Sequence, residues 1–282
     1  MAEETTFFEL SLPGRKLSME CPLVMGILNI TPDSFHSGSR VNGEDELLHH
    51  AESMIAAGAD ILDIGGQSTR PGAQRLLAEE EMTRVLPAIH AVRKHFPSIA
   101  ISVDTFYAQV AREAFKAGAD IINDVSGGSI DAEMFKTVAA LNIPYVLTHI
   151  QGEPQTMQDQ PQYTDVVGEV LNYFTAKIEL LNQLGVKQII LDPGFGFGKK
   201  HEHNLQLLNE MHLFCTLGYP LLAGLSRKKT LQTIIGSDAA HALNITTSAN
   251  TIALMHGASI LRVHDVREAK EAVQLYHAMM SA

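Results

Sequence analysis

Two acids and one amide sit where short apolar runs end: Asp104 after IAISV, Asn123 at the end of DIIN and Asp192 after QIIL. Acids in such settings are seldom buried unless they are paired or hydrogen-bonded. Facing a ligand, they can accept from the donor-rich edge of a guanidine-like heterocycle such as a pterin or a purine. Asp192 and Lys228 can equally form an ion pair in the core, and the sequence leaves both readings open. Arg70, Arg227, Lys228 and Arg262 stand at or near the ends of other runs. On a chain of net charge −11, cations that converge point to an anionic ligand, phosphate first among them. Asn29, the glycine-bearing stretch 65–72, His149, Ser226 and His264 complete the set of polar run ends.

Eight short apolar runs must position these residues: 23–28, 61–64, 99–103, 120–123, 144–148, 188–191, 220–224 and 259–263. They are nearly continuous rather than alternating, as strands covered on both faces are. Between them, apolar residues recur at helical spacing in 44–57, 79–95, 165–184 and 266–280, the last through Val266, Ala269, Val273, Tyr276 and Met280. Gly-Ala-Asp or Gly-Ala-Ser follows three helical stretches, at 58, 118 and 257, as a left-handed stop before the next strand. Eight alternating βα units predict an α/β fold, a single (β/α)8 TIM barrel over 21–282, with an open doubly wound sheet as the rival. Residues 1–20 form a short N-terminal segment, expected as a hairpin at the barrel bottom. In such a barrel the run ends named above share one face.

Composition narrows the function. An acidic chain of this size is a poor general nucleic-acid binder, because phosphate contact needs a basic face. Two cysteines, Cys21 and Cys215, cannot build a disulfide framework or a thiolate cluster. The N-terminus lacks the pattern of a signal peptide, and no apolar stretch approaches the ~20 residues that span a bilayer. A cytoplasmic protein without nucleic-acid or membrane partners is expected. Glu79-Glu80-Glu81 reads as a solvated first helical turn, GFGFGKK (194–200) as a flexible βα loop that fails the P-loop pattern, and His201-Glu202-His203 as no zinc motif.

The segments GILNITPDSF (26–35), GGQSTRPG (65–72), SVDT (102–105), INDVSG (122–127), THIQGEPQTMQ (148–158), LDPGFGFGK (191–199), GLSRK (224–228) and RVHDV (262–266) carry a resemblance. Together and in this order they resemble bacterial dihydropteroate synthase, over nearly the whole chain. The resemblance implies condensation of 6-hydroxymethyl-7,8-dihydropterin diphosphate with 4-aminobenzoate, giving 7,8-dihydropteroate and diphosphate. This is a step of folate biosynthesis and a sulfonamide target. It further implies a homodimer and Mg2+ bridging the diphosphate, with Asn29 as the protein's metal ligand. The implied pterin-binding residues are Asp104, Asn123, Asp192 and Lys228. Asn29, Thr69, Arg70, Arg262 and His264 would bind the diphosphate, and Phe35, Pro71, Phe197 and Lys228 the aminobenzoate. Arg70, Lys228, Arg262 and His264 would be catalytic.

The chain departs from the family pattern at several places. His36-Ser37-Gly38-Ser39 lacks the acid of the usual Ser-Asp-Gly-Gly, Gln67 replaces a glutamate and Lys229 a serine, and Glu153 replaces an asparagine. Thr148 and Ile150 flank His149 where methionines are common, and His241 to Thr247 lacks the usual arginine and glycine. These changes motivate an alternative, a divergent pterin-binding paralogue with weak or no synthase activity. A methyltransferase barrel of the methyltetrahydrofolate type is a further alternative. Arg70, Arg262, His264 and the Ser-Arg-Lys run weigh against it, because that class needs no diphosphate site.

Overall fold

A computed structural model describes residues 8–30, 40–67, 75–152, 157–158 and 161–282. Two short strands, β1 (Glu9–Leu12) and β2 (Arg15–Ser18), form an antiparallel hairpin. The chain then alternates strand and helix: β3 (Leu23–Asn29), α1 (Arg40–Ala56), β4 (Ile61–Gly65), α2 (Ala78–His95), β5 (Ala100–Asp104), α3 (Ala108–Ala117), β6 (Ile121–Asp124), α4 (Met134–Leu141), β7 (Tyr145–Thr148) and α5 (Val166–Gln183). It continues through β8 (Ile189–Asp192), α6 (His201–Asn209), β9 (Leu221–Ala223), α7 (Lys229–Ile235), α8 (Leu243–Met255), β10 (Ala258–Val263) and α9 (Val266–Met280). Strands β3 to β10 are parallel and close into a barrel, with β10 paired to β3, so the barrel reading holds and the open-sheet rival does not.

The continuous apolar runs reflect burial on two faces. Outward residues of the strands, among them Val24, Leu62, Ile101, Ile122, Leu147, Leu191 and Leu261, pack beneath the helices in one large core. Inward residues Leu23, Met25, Ile61, Ala100, Ile121, Val146, Ile190, Leu222 and Ile260 form a separate apolar floor, capped by Leu10, Leu12 and Met19 of the hairpin segment. Side chains alternate along a strand, so the next inward position on each strand lies one layer closer to the mouth. There the chemistry changes: Asp63, Ser102, Asn123, Thr148, Asp192 and Arg262 occupy those positions.

Glycine ends the helices where the sequence places it. Gly58, Gly118 and Gly257 have φ of 100°, 112° and 93°, a left-handed conformation. One helical face differs from expectation. Met280, the last residue of α9, is 65% exposed, and the buried face of that helix runs only from Val266 to Val273.

The floor is sealed electrostatically. Asp120, just before β6, accepts from Arg15 of β2 (2.8 Å), Arg93 of α2 (2.5 Å) and the Ile101 backbone N–H (2.9 Å). Both arginines also donate to the Ile99 carbonyl. Gln188 clamps the other side of the hairpin, accepting from the Ser11 N–H at 2.6 Å. Asp120→Ala would strand two cations and a buried amide; it is expected to cost about 3 kcal/mol, within the range for breaking a buried pair. Urea denaturation of parent and variant measures this.

Candidate active site at the barrel mouth

At the mouth, Arg262, Asp63, Asp104 and Asn123 form one hydrogen-bonded unit. Arg262 of β10 donates through Nε to Asp63 Oδ2 (2.6 Å) and through Nη2 to Asp104 Oδ2 (2.7 Å). Asn123 Nδ2 donates to the same Asp63 oxygen at 3.0 Å. Burial pushes the Asp104 carboxyl upward, with Arg262 opposing. Burial also works against the Arg262 charge, but Asp63 and Asp104 outweigh it and hold its pKa above the usual range.

Asp192 closes the layer on the opposite wall. Its Oδ1 accepts from the Gly194 N–H at 2.8 Å, and burial raises its pKa while Lys228 lowers it. Lys228 and Asp192 form no ion pair within bonding distance. Lys228 Nζ instead donates to the Phe195 carbonyl and lies 4.4 Å from the centre of the Phe197 ring. Burial brings Lys228 down to about 8, with Asp192 pulling the other way. A methyl group at Gly224 would stand 3.7 Å from Lys228 Nζ and 4.0 Å from Asp192 Oδ2. One at Gly65 would stand 3.4 Å from Asp104 Cβ and 3.6 Å from Asn29 Oδ1. The two glycines thus keep the space between the acids and the rim clear.

The 194–198 segment is tied down rather than loose. Lys199, 3% exposed, donates to the carbonyls of Gly194 (3.0 Å), Phe197 (3.1 Å) and His149 (3.2 Å) and to His149 Nδ1 (2.8 Å). Burial, reinforced by Lys199, drives His149 down to about 2, so the ring is a neutral acceptor. At Gly194 (φ 70°) a side chain would collide with the His149 carbonyl, so the tight turn requires glycine.

At the rim, Asn29 ends β3 with its side chain exposed beside Gly65. His264 is exposed, and its Nδ1 lies 3.0 Å from the Ser226 hydroxyl, which accepts from the His264 N–H. Arg227 does not join the converging cations. Its guanidinium is bidentate on Asp265 (2.8 and 2.7 Å) and donates to the Ala239 carbonyl, so it braces the β10–α9 turn. Arg262 differs in part from a rim cation too, since it is turned inward on two carboxylates. Phe35, Thr69, Arg70 and Pro71 lie outside the described residues, as do His36 to Ser39 and Glu153. Gln67, at the edge of that region, accepts from the Leu76 N–H at 2.7 Å, a bond that needs no charge.

Sequence reasoning passed over three residues here. Asp63 interrupts the ILDI run, and a lone acid in a strand buried on both faces is the signal that could have found it. Lys199 was hidden in a glycine-rich loop. Glu81, read as part of a solvated turn, is fully buried against Gly66. Burial pushes its pKa up to about 7, against Thr105 and with Asp104 adding to the rise. The helical turn puts Glu79 and Glu80 toward solvent and Glu81 toward the barrel.

Residues 25–264 match the pterin-binding enzyme family. The chain is 43% identical to dihydropteroate synthase of Escherichia coli K12 over 276 residues, 97% of each chain. Its fold superposes on that of Yersinia pestis dihydropteroate synthase, solved with a sulfonamide drug complex, with a TM-score of 0.91, 39% identity and 98% and 100% of the two chains covered. The Xanthomonas albilineans enzyme, solved in complex with 7,8-dihydropteroate, gives a TM-score of 0.85 at 34% identity, with 97% and 99% covered. The chain belongs to the dihydropteroate synthase family. As a family member it is a transferase, and the methyltransferase alternative falls away. The described residues of the motifs that carry the resemblance, Asn29, Asp104, Asn123, Asp192, Lys228, Arg262 and His264 among them, lie at the polar layer and rim of this dihydropteroate synthase fold.

The Glu81 carboxyl yields a pH prediction. Folding raises its pKa, so the folded state holds a proton that the unfolded chain releases between about pH 4.5 and 7. Stability from this group is fully present below that window and lost across it. Glu81→Gln removes the loss, so at pH 8 the variant should be more stable than the parent by about 3 kcal/mol. Below pH 4 the two should converge, as read by urea denaturation at both pH values.

Proposed function

We propose that the chain joins 6-hydroxymethyl-7,8-dihydropterin diphosphate to 4-aminobenzoate, releasing diphosphate and 7,8-dihydropteroate in folate biosynthesis, with the residues of the mouth in the following roles. The observation that carries the reading is the set of buried Asn123 and Asp192 with the largely buried Asp104, facing a cleared space with Lys228 at its edge. Carboxylates and an amide carbonyl suit the amino and ring N–H donors of a pterin. A ring without those donors leaves them unpaired, which gives selectivity. Lys228, over the Phe197 ring, borders both the pterin and the aminobenzoate.

The reaction is a substitution at the exocyclic CH2. The bond from that carbon to the diphosphate oxygen breaks, the arylamine nitrogen forms a bond to the same carbon, and the nitrogen then loses a proton. No protein nucleophile is needed. The chain's contribution is orientation and stabilisation of charge on the departing diphosphate. Among the described residues we assign the second task to Arg262 and His264; the contact of His264 with Ser226 at the rim supports its part.

The donor set fits Mg2+ held mainly by substrate. Among the described residues no three His, Cys, Asp or Glu side chains are grouped to hold a metal. Asn29 offers one exposed amide oxygen, and magnesium commonly takes few protein ligands beside phosphate oxygens and water. Mg2+ bound there would offset diphosphate charge.

The homodimer reading draws support from exposed apolar residues on the last helices: Ile252 and Met255 of α8, and Leu275, Met279 and Met280 of α9. Free Cys21 and Cys215 suit the reducing cytoplasm. Among the described residues no helix is long and apolar enough to cross a membrane.

Purified protein with both substrates and Mg2+ is expected to release diphosphate, and a chelator to abolish the release. Pterin binding without release would favour the divergent paralogue. Asp192→Asn should abolish pterin binding in a folded protein; unchanged affinity would make Asp192 a purely structural acid. Arg262→Ala should raise the barrier by about 2–4 kcal/mol, the scale of a lost oxyanion donor. It should also lower the melting temperature, because it strands the Asp63 and Asp104 carboxylates.

A further inference from the structure

Asp63 is fully buried, lies one layer below Asp104 on the neighbouring strand, and is covered by the residues it bonds. One of its oxygens receives Asn123 of β6 and Arg262 of β10, so a single atom ties three strands of the barrel. The reach to β6 passes over β5, where the register partner of Asp63 is Ser102. That small side chain leaves the path open. A buried carboxylate accepts and never donates, so it dictates the orientation of what it meets. The Asn123 NH2 group must face Asp63, which turns the Asn123 carbonyl oxygen away from it. Arg262 must bring Nε to Asp63, which aims its Nη2 edge at Asp104.

We propose that Asp63 is a positioning residue for the pterin site, setting through one carboxylate oxygen both the amide orientation of Asn123 and the guanidinium orientation of Arg262. Asn123 then presents an acceptor to the substrate, and only a ring edge with a donor at that place is accommodated without an unpaired group. The oxygen must be in place as well as the charge, because the alternative amide orientation costs nothing once Asp63 is gone. The inference rests on the pterin reading of this site.

The test compares the parent with Asp63→Ala and Asp63→Glu, the second keeping the charge and displacing the oxygen. Binding of 6-hydroxymethyl-7,8-dihydropterin diphosphate is measured by calorimetry, and turnover by diphosphate release. Both variants are expected to melt cooperatively and to bind at least tenfold more weakly, with the KM for aminobenzoate within twofold of the parent. In an Asn123→Ala background the loss caused by Asp63→Ala should shrink at least threefold. Parent-like binding by Asp63→Glu would reduce Asp63 to a charge and overturn the proposal. An undiminished loss in the Asn123→Ala background would overturn it too, as would failure of both variants to fold. A parent that neither binds the pterin diphosphate nor turns over would fail the functional reading and take this proposal with it. A parent that turns over beside variants that bind normally fails the positioning role alone.

Discussion

A guanidinium held between one fully buried and one largely buried carboxylate is the constraint on which the mouth of this barrel depends. Asp63 and Asp104 could not share the interior of a closed sheet without Arg262, since burying a charge is costly unless it is paired and hydrogen-bonded. Arg262 in turn could not be turned inward without them. The mutual requirement fixes the spacing of β4, β5 and β10 at their upper ends. It also fixes the attitude of Asn123, which shares the Asp63 oxygen.

The barrel has two interiors, divided by chemistry. Below the layer, nine inward side chains pack as a dry floor under the hairpin. Above it, glycines at positions 65 and 224 hold the mouth open. A flat ring entering from above meets hydrogen-bonding groups and stops at a wall that cannot yield. On the far side Lys228 and the 194–198 segment form one assembly, since the carbonyl of Phe195 and the ring of Phe197 both meet Lys228 while Lys199 anchors the backbone that carries them.

Much of this was legible in the sequence because strands buried on both faces announce themselves. An apolar run such as QIIL followed by Asp192 says where the strand is, and the rule that barrel sites lie at carboxyl ends says what the acid is for. Asp104, Asn123, Asp192 and Lys228 were placed at the barrel mouth in this way, and that is where they stand. What failed was anything that depends on direction. The phase of α2 decides that Glu81 turns inward while Glu79 and Glu80 do not, and three consecutive acids carry no phase. Arg227 and Lys228 are neighbours, yet a positive φ of 55° at Arg227 sends its side chain to Asp265. Asp63 escaped notice because it lies inside an apolar run rather than at its end.

The closing seam of the barrel joins the first of its strands to the last, and Arg262 meets Asp63 across 199 positions of chain. During synthesis the two acids emerge long before the cation that balances them. Before β10 is made neither carboxylate has its arginine partner, and burying either one unpaired would be costly. Long-range closure of this kind is slow, because loop entropy is spent before the contact is made. The last strand thus acts as an electrostatic latch: its arrival shuts the wall and assembles the ligand-facing chemistry in the same event.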